Sequence, residues 1–159
     1  MKTLDWAPAL EYLTAKSGSF KGHGTNFEGL PYVANLELRS RIDGEVIELN
    51  FRAEDEEQAF HEECTWISND LLHQKLSLWT VSTNAPGVLQ HLIANDTKDV
   101  GVERKLIFQL GTPDDLRTFR QEIQLIFLNH DEIEYRYSWG IPHEAMASKT
   151  RAILTRVDR

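Results

Sequence analysis

Apolar and polar residues alternate with a period of two along most of this chain, the pattern of strands with one face on a core and one face in water. Tyr32–Arg41 shows it most clearly: Tyr32, Ala34, Leu36 and Leu38 point one way, and Asn35, Glu37, Arg39 and Arg41 the other. Asp43-Gly44 then supplies a hairpin turn, because both residues tolerate the positive φ of tight loops, and Val46–Ala53 resumes with Ile47, Leu49, Phe51 and Ala53 inward. Further strand-like segments follow at Ala59–Ser68, Gln74–Ser82, Val88–Ala94, Val102–Leu110, Phe119–Leu128, Glu132–Trp139 and Ser148–Val157, separated by Asn, Asp, Gly and Pro turn chemistry. The segment at Ala59–Ser68 admits two solutions, with Phe60, Cys64 and Trp66 forming one face and His61, Glu63, Thr65 and Ile67 the other.

Two N-terminal segments differ from the rest. In Leu4–Leu13, residues Trp6, Leu10 and Leu13 fall on one face at helical spacing, with Thr3 or Asp5 available as a cap and Pro8 in the first turn. The following stretch, Gly18-Ser19-Phe20-Lys21-Gly22-His23-Gly24, reads as a strand whose backbone bends sharply or is closely approached. About ten short strands with almost no helix after residue 16 predict an all-β fold: an antiparallel up-and-down β-barrel with a short N-terminal capping helix, as one domain over residues 1–159. Closure removes the edges that an open sheet of that size would expose, and a barrel this wide leaves room for a cavity.

Composition narrows the partners. The 159 residues carry a formal net charge of −8, which repels nucleic-acid phosphates and anionic lipid headgroups. No apolar run approaches the ~20 residues that span a bilayer, and Met1–Trp6 lacks the basic-then-apolar build of a secretory signal. The lone Cys64 cannot form an internal disulfide, which favours the cytoplasm, and with no motif around it Cys64 reads as a small core residue.

Candidate chemistry is sparse. His61 and Glu63 share a strand face but lack a third ligand, so no metal site is expected, and Glu62 and Glu63 face opposite sides and cannot act on one substrate. No catalytic constellation is legible. Trp79, Tyr135, Tyr137 and Trp139 are aromatic candidates for a cavity wall, and His143 sits in the connector before the last strand.

The short helix, the Gly18, Phe20, Gly22, Gly24 strand, Phe60-His61-Glu62-Glu63 and a last strand containing Ala152-Ile153-Leu154 resemble nitrobindin, a ten-stranded barrel family akin to the fatty-acid-binding proteins and lipocalins (calycins). The resemblance covers nearly the whole chain. It implies haem held by a histidine at the start of the last strand, but the matching residue here is Lys149, whose protonated amine has no lone pair for iron. Haem is thus a possible cofactor by resemblance without its usual ligand. The resemblance also equates the family's pocket histidine with His61, which turns His61, Glu63 and Thr65 inward, and places Trp139 where the family has a smaller cavity residue. By analogy with fatty-acid-binding barrels, Arg104, on the parity of Val102, Leu106 and Phe108, could hold a ligand carboxylate or could reach solvent at the strand mouth.

The function expected is a cytoplasmic protein that binds a small apolar or amphipathic ligand, fatty-acid-like or haem-like, through His61, Trp79, Arg104, Tyr137, Trp139 and Lys149. An inward Lys149 would favour an anionic head group unless Glu63 already neutralises it. An isomerase or hydrolase using the same cavity, and a protein-interaction domain with its barrel filled by aromatics, remain alternatives.

Overall fold

A computed structural model describes residues 6–158 of the chain. The helix α1 (Ala7–Ala15) opens with Pro8 in its first turn and buries Leu10 and Leu13, with Trp6 packed partly against the same core. Thr3 and Asp5, the candidate caps, lie outside the described residues. Ten strands follow: β1 (Gly18–Asn26), β2 (Pro31–Arg41), β3 (Val46–Glu54), β4 (Ala59–Asp70), β5 (Lys75–Ser82), β6 (Ala85–Thr97), β7 (Arg104–Leu110), β8 (Arg120–Phe127), β9 (Glu132–Gly140) and β10 (Ala147–Arg156). Each pairs antiparallel with its neighbour in sequence, and β1 pairs with β10 to close the barrel.

Strand boundaries depart from the sequence pattern mainly at β6. The polar link expected after Ala94 is part of the ladder, because Asn95, Asp96 and Thr97 pair with Ile107, Leu106 and Lys105 across a bulge. Bulges break the two-residue period, and so hide a strand from a search for alternation.

The barrel interior divides into two ends. Toward α1 it is filled by Phe20, Leu36, Leu38, Ile47, Leu49, Ile67, Leu76, Leu78, Leu106, Phe108, Leu125, Phe127 and Leu154, all buried. Polar contacts seat the helix over this end. Lys16 pairs with Glu103 at 2.8 Å, Thr14 bonds Ser40, and the Tyr12 ring meets Phe127 edge-on at 5.2 Å. Parity in β4 follows from the same packing: His61, Glu63, Thr65 and Ile67 face inward and Trp66 is 41% exposed on the outside.

The glycines of β1 sit at the seam that closes the barrel. A Cβ on Gly22 would collide with the carbonyl oxygen of Ile153 in β10, and one on Gly24 with the Tyr32 ring and the Arg151 carbonyl. Both obstacles at the seam are backbone held by the β1–β10 ladder, so they cannot rotate away. Gly22→Ala is therefore expected to destabilise the fold by about 2–3 kcal/mol, the upper part of the usual overpacking range, read as a fall in the urea midpoint. A loss below about 1 kcal/mol would show that the seam accommodates a side chain.

Candidate functional site

At the end opposite α1 the barrel opens into a pocket of about 390 Å³. Its walls come from the β1–β2, β3–β4, β5–β6, β7–β8 and β9–β10 ends of the strands. Six aromatic side chains, Phe27, Phe51, Phe60, Phe119, Tyr137 and Trp139, alternate with Asn26, His61, Asn84, Gln121, Lys149 and Thr150. Such a mostly apolar wall with a few polar groups suits a small ligand with one polar end.

Lys149 reaches this pocket through an irregularity. The β9–β10 register shifts between Ser148 and Thr150, so that Lys149 is the extra residue of a bulge. Strict alternation from Ala152 and Leu154, both buried, would have sent Lys149 outward. The bulge instead lays its ammonium 4.1 Å from the centre of the Trp139 ring and 5.8 Å from that of Phe27. It makes no ion pair among the described residues. Glu63 is engaged elsewhere.

Beneath the pocket lies a buried polar cluster. The Asn84 amide donates to His61 Nδ1 at 2.7 Å, which leaves the imidazole hydrogen on Nε2. That nitrogen lies 3.0 Å from Glu63 Oε1 but off the hydrogen-bond direction, so the contact is electrostatic and neither atom has a hydrogen-bond partner among the described residues. The other Glu63 oxygen accepts from the Tyr135 hydroxyl, and the Tyr135 ring stacks on Phe51 at 4.3 Å. Complete burial, and then the Glu63 charge, push the Tyr135 phenol well above its ordinary pKa, so it remains a donor. A buried carboxylate is thereby supplied with one strong donor and one adjacent imidazole, as its desolvation requires.

The rim is set by Arg120, whose side chain is fully buried. Its guanidinium donates to the carbonyls of Thr118, Pro113, Ile141 and Glu144, tying the loop before β8 to the loop after β9. Gly140 makes room for it, since a Cβ there would stand 2.7 Å from Nη2. Phe119 and Trp139, next to this tie, face each other across the pocket wall at 6.4 Å.

The residues expected from the sequence thus separate. His61, Tyr137, Trp139 and Lys149 meet in one pocket, and Trp79 and Arg104 do not. Trp79 pairs with the outward Trp66, because Leu76, Leu78 and Thr80 take the inner face of β5. Arg104 is inward by parity but lies at the opposite end, where it grips Asp96 through Nε at 2.8 Å and Nη2 at 2.6 Å and lies 4.8 Å from the Tyr12 ring centre. There it clamps the helix end and is already paired. His143 is exposed in the β9–β10 loop, outside the pocket wall. The pattern gave no warning of Phe27, Phe60, Phe119, Asn84, Gln121 or Arg120. Most of these sit at strand ends, where alternation no longer reports on the interior.

No group of three or more metal-ligating side chains occurs among the described residues. Nor do these residues fit histidine-ligated haem: Lys149 offers no lone pair, and His61 has Nδ1 bound to Asn84 and Nε2 against Glu63.

Fold and pocket together define the class, a ten-stranded antiparallel barrel shut by a helix at one end and open to a small cavity at the other. No family model matches the chain, and no curated protein matches it. Among solved structures it is similar to Rv2717c from M. tuberculosis, with a TM-score of 0.67 and 15% identity over 97% of this chain and 100% of that one. It is also similar to the S-type phycobiliprotein lyase CPES from Guillardia theta, with a TM-score of 0.51 and 11% identity over 98% and 99% of the two chains. At these identities the likeness shows the fold alone. No helix among the described residues is long and apolar enough to cross a membrane.

Proposed function

We propose that the chain is a single-domain cytoplasmic binding protein whose open-end pocket holds a small amphipathic ligand, with apolar or aromatic body and anionic head. His61, Tyr137, Trp139 and Lys149 are its contact residues. The observation that carries this reading is the Lys149 ammonium, laid over Trp139 at the pocket wall with no ion-pair partner among the described residues. The ammonium has no counter-charge there among the described residues, and an incoming anion supplies one while its apolar body displaces water from Phe51, Phe60 and Phe119. The nitrobindin-like order of motifs supports an internal ligand. The volume of about 390 Å³ suits two or three fused or linked rings better than a long acyl chain.

The test compares 8-anilinonaphthalene-1-sulfonate with the uncharged N-phenyl-1-naphthylamine, which shares its ring system, by fluorescence titration. Wild type is expected to prefer the sulfonate by about tenfold, the value of one charge-assisted contact at a partly exposed site. Lys149→Met is expected to abolish that preference while leaving the neutral probe's affinity unchanged. Equal affinities in wild type, or a preference that survives the substitution, would refute the role of Lys149.

A further inference from the structure

Behind the aromatic wall a chain of three side chains runs from the pocket into the core. Tyr137, which lines the pocket and is 5% exposed, receives a hydrogen bond from Gln121 Nε2. Gln121 Oε1 lies 2.7 Å from Nε2 of His91, which is completely buried. The three stand on three different strands, β9, β8 and β6, so the sequence pattern marks Tyr137 but does not join it to Gln121 and His91.

The chain has a direction. An amide oxygen can only accept, so His91 must carry its hydrogen on Nε2. Burial pushes the His91 pKa down to about 4, against the opposing pull of Gln121, Glu63 and the Leu89 backbone, so the ring is neutral at pH 7 and, with its hydrogen on Nε2, carries none on Nδ1. With Oε1 committed to His91, Gln121 presents its NH₂ to Tyr137, and an amide NH₂ can only donate. The phenolic oxygen is thus used as an acceptor. Its own hydrogen makes no hydrogen bond to any described residue, and burial together with the Glu63 charge raises the Tyr137 pKa, which keeps that hydrogen in place.

We propose that Tyr137 is a specificity-determining hydrogen-bond donor at the floor of the pocket, oriented by His91 through Gln121, and that the ligand is an aromatic carboxylate bearing a second oxygen acceptor at the end remote from its carboxylate. This rests on the reading of the pocket as a binding site for amphipathic anions. Geometry supplies the spacing: Tyr137 and Trp139 are two residues apart on one face of β9, about 7 Å along the strand, so Lys149 over Trp139 marks the rim and Tyr137 the depth. One benzene ring bridges that separation. An alkyl group at the far end would leave the phenol hydrogen without a partner, and binding there is penalised.

Two measurements test it. In the first, 4-acetylbenzoate and the near-isosteric 4-isopropenylbenzoate compete with 8-anilinonaphthalene-1-sulfonate for wild type and Tyr137→Phe. The acetyl compound is expected to bind wild type about tenfold more tightly, the value of one buried hydrogen bond gained against one left unmade, and the ratio is expected to fall to near one in Tyr137→Phe. The second needs no ligand: long-range ¹⁵N–¹H correlation of the imidazoles at pH 7 should show His91 neutral with its hydrogen on Nε2. A hydrogen on Nδ1, a charged His91 ring, a wild-type ratio near one, or a ratio unchanged in Tyr137→Phe would each overturn the proposal. If both benzoates bind with dependence on Lys149 but without discrimination, this inference fails and the binding reading stands. If neither displaces the probe from wild type, both fail.

Discussion

Replacing Arg120 by Met is expected to cost about 3–5 kcal/mol of stability, because it deletes a buried charged donor and leaves its acceptors without partners. Met keeps most of the apolar stem, so the loss reports the guanidinium rather than a cavity. Four carbonyls, those of Thr118, Pro113, Ile141 and Glu144, lose their donor at once. Water can reach some of them as the loops loosen, which keeps the cost within the range of a broken buried ion pair rather than the sum of four orphaned groups. Arg120→Lys should recover only part of the loss, since a point-like ammonium cannot match the planar fork that spans both loops. Urea unfolding of the three proteins measures this. Arg120→Met should also weaken 8-anilinonaphthalene-1-sulfonate binding, because Phe119 and Trp139 are positioned by the same tie. A loss under about 1 kcal/mol would mean that the loops hold without Arg120.

Phe20→Ala is expected to cost about 3–5 kcal/mol by cavity formation at the closed end. Phe20 is 2% exposed and pairs across the sheet with Leu36. Its ring is covered by the Arg156 guanidinium at 4.6 Å, and Arg156 in turn donates to the carbonyls of Lys16 and Ser17 at the end of α1. Truncation therefore removes both the ring's burial and the surface on which the helix anchor rests. Phe20→Leu should recover about half of the loss, as it refills most of the volume without the cation–π contact. Because Phe20 and the pocket lie at opposite ends of the barrel, ligand affinity measured on the folded fraction should be unchanged. A shift in affinity would mean that the two ends are coupled.

Legibility varied with the range of the interaction that decides each feature. The inner faces of β2, β3 and β9 could be read directly, because alternation over eight or more residues leaves only one way to bury Tyr32, Ala34, Leu36 and Leu38, or Tyr135 and Tyr137. The strands' number and the amphipathic segment before them were legible for the same reason. In β4 alternation gave two answers, and only packing decided: Ile67 and Thr65 find apolar or hydroxyl neighbours inside, the latter bonding Thr80 at 2.8 Å, and Trp66 is left outside with Trp79. The resemblance to nitrobindin had pointed His61 inward, which the pattern alone did not.

The candidate pocket was half legible. Tyr137 and Trp139 follow from strand parity, but the aromaticity that marks Trp79 and the strand face that marks Arg104 do not say at which end of a barrel a residue lies. Position along the axis depends on strand tilt and on which end the helix covers, both set by contacts such as Tyr12 with Phe127 and Lys16 with Glu103, more than 85 residues apart.

By itself, then, the sequence determined the all-β class, the strand pairs joined by hairpins, the glycines at the seam and the identity of most buried faces, since these rest on periodicity and turn chemistry within a dozen residues. Only the tertiary structure decided which end is plugged, that Lys149 turns into the pocket through a bulge, that Arg104 is spent on Asp96, and that His91, Gln121 and Tyr137 form a directed chain. A bulge adds a residue without changing composition, and a hydrogen-bond chain joins side chains from strands whose spacing along the sequence carries no record of their contact.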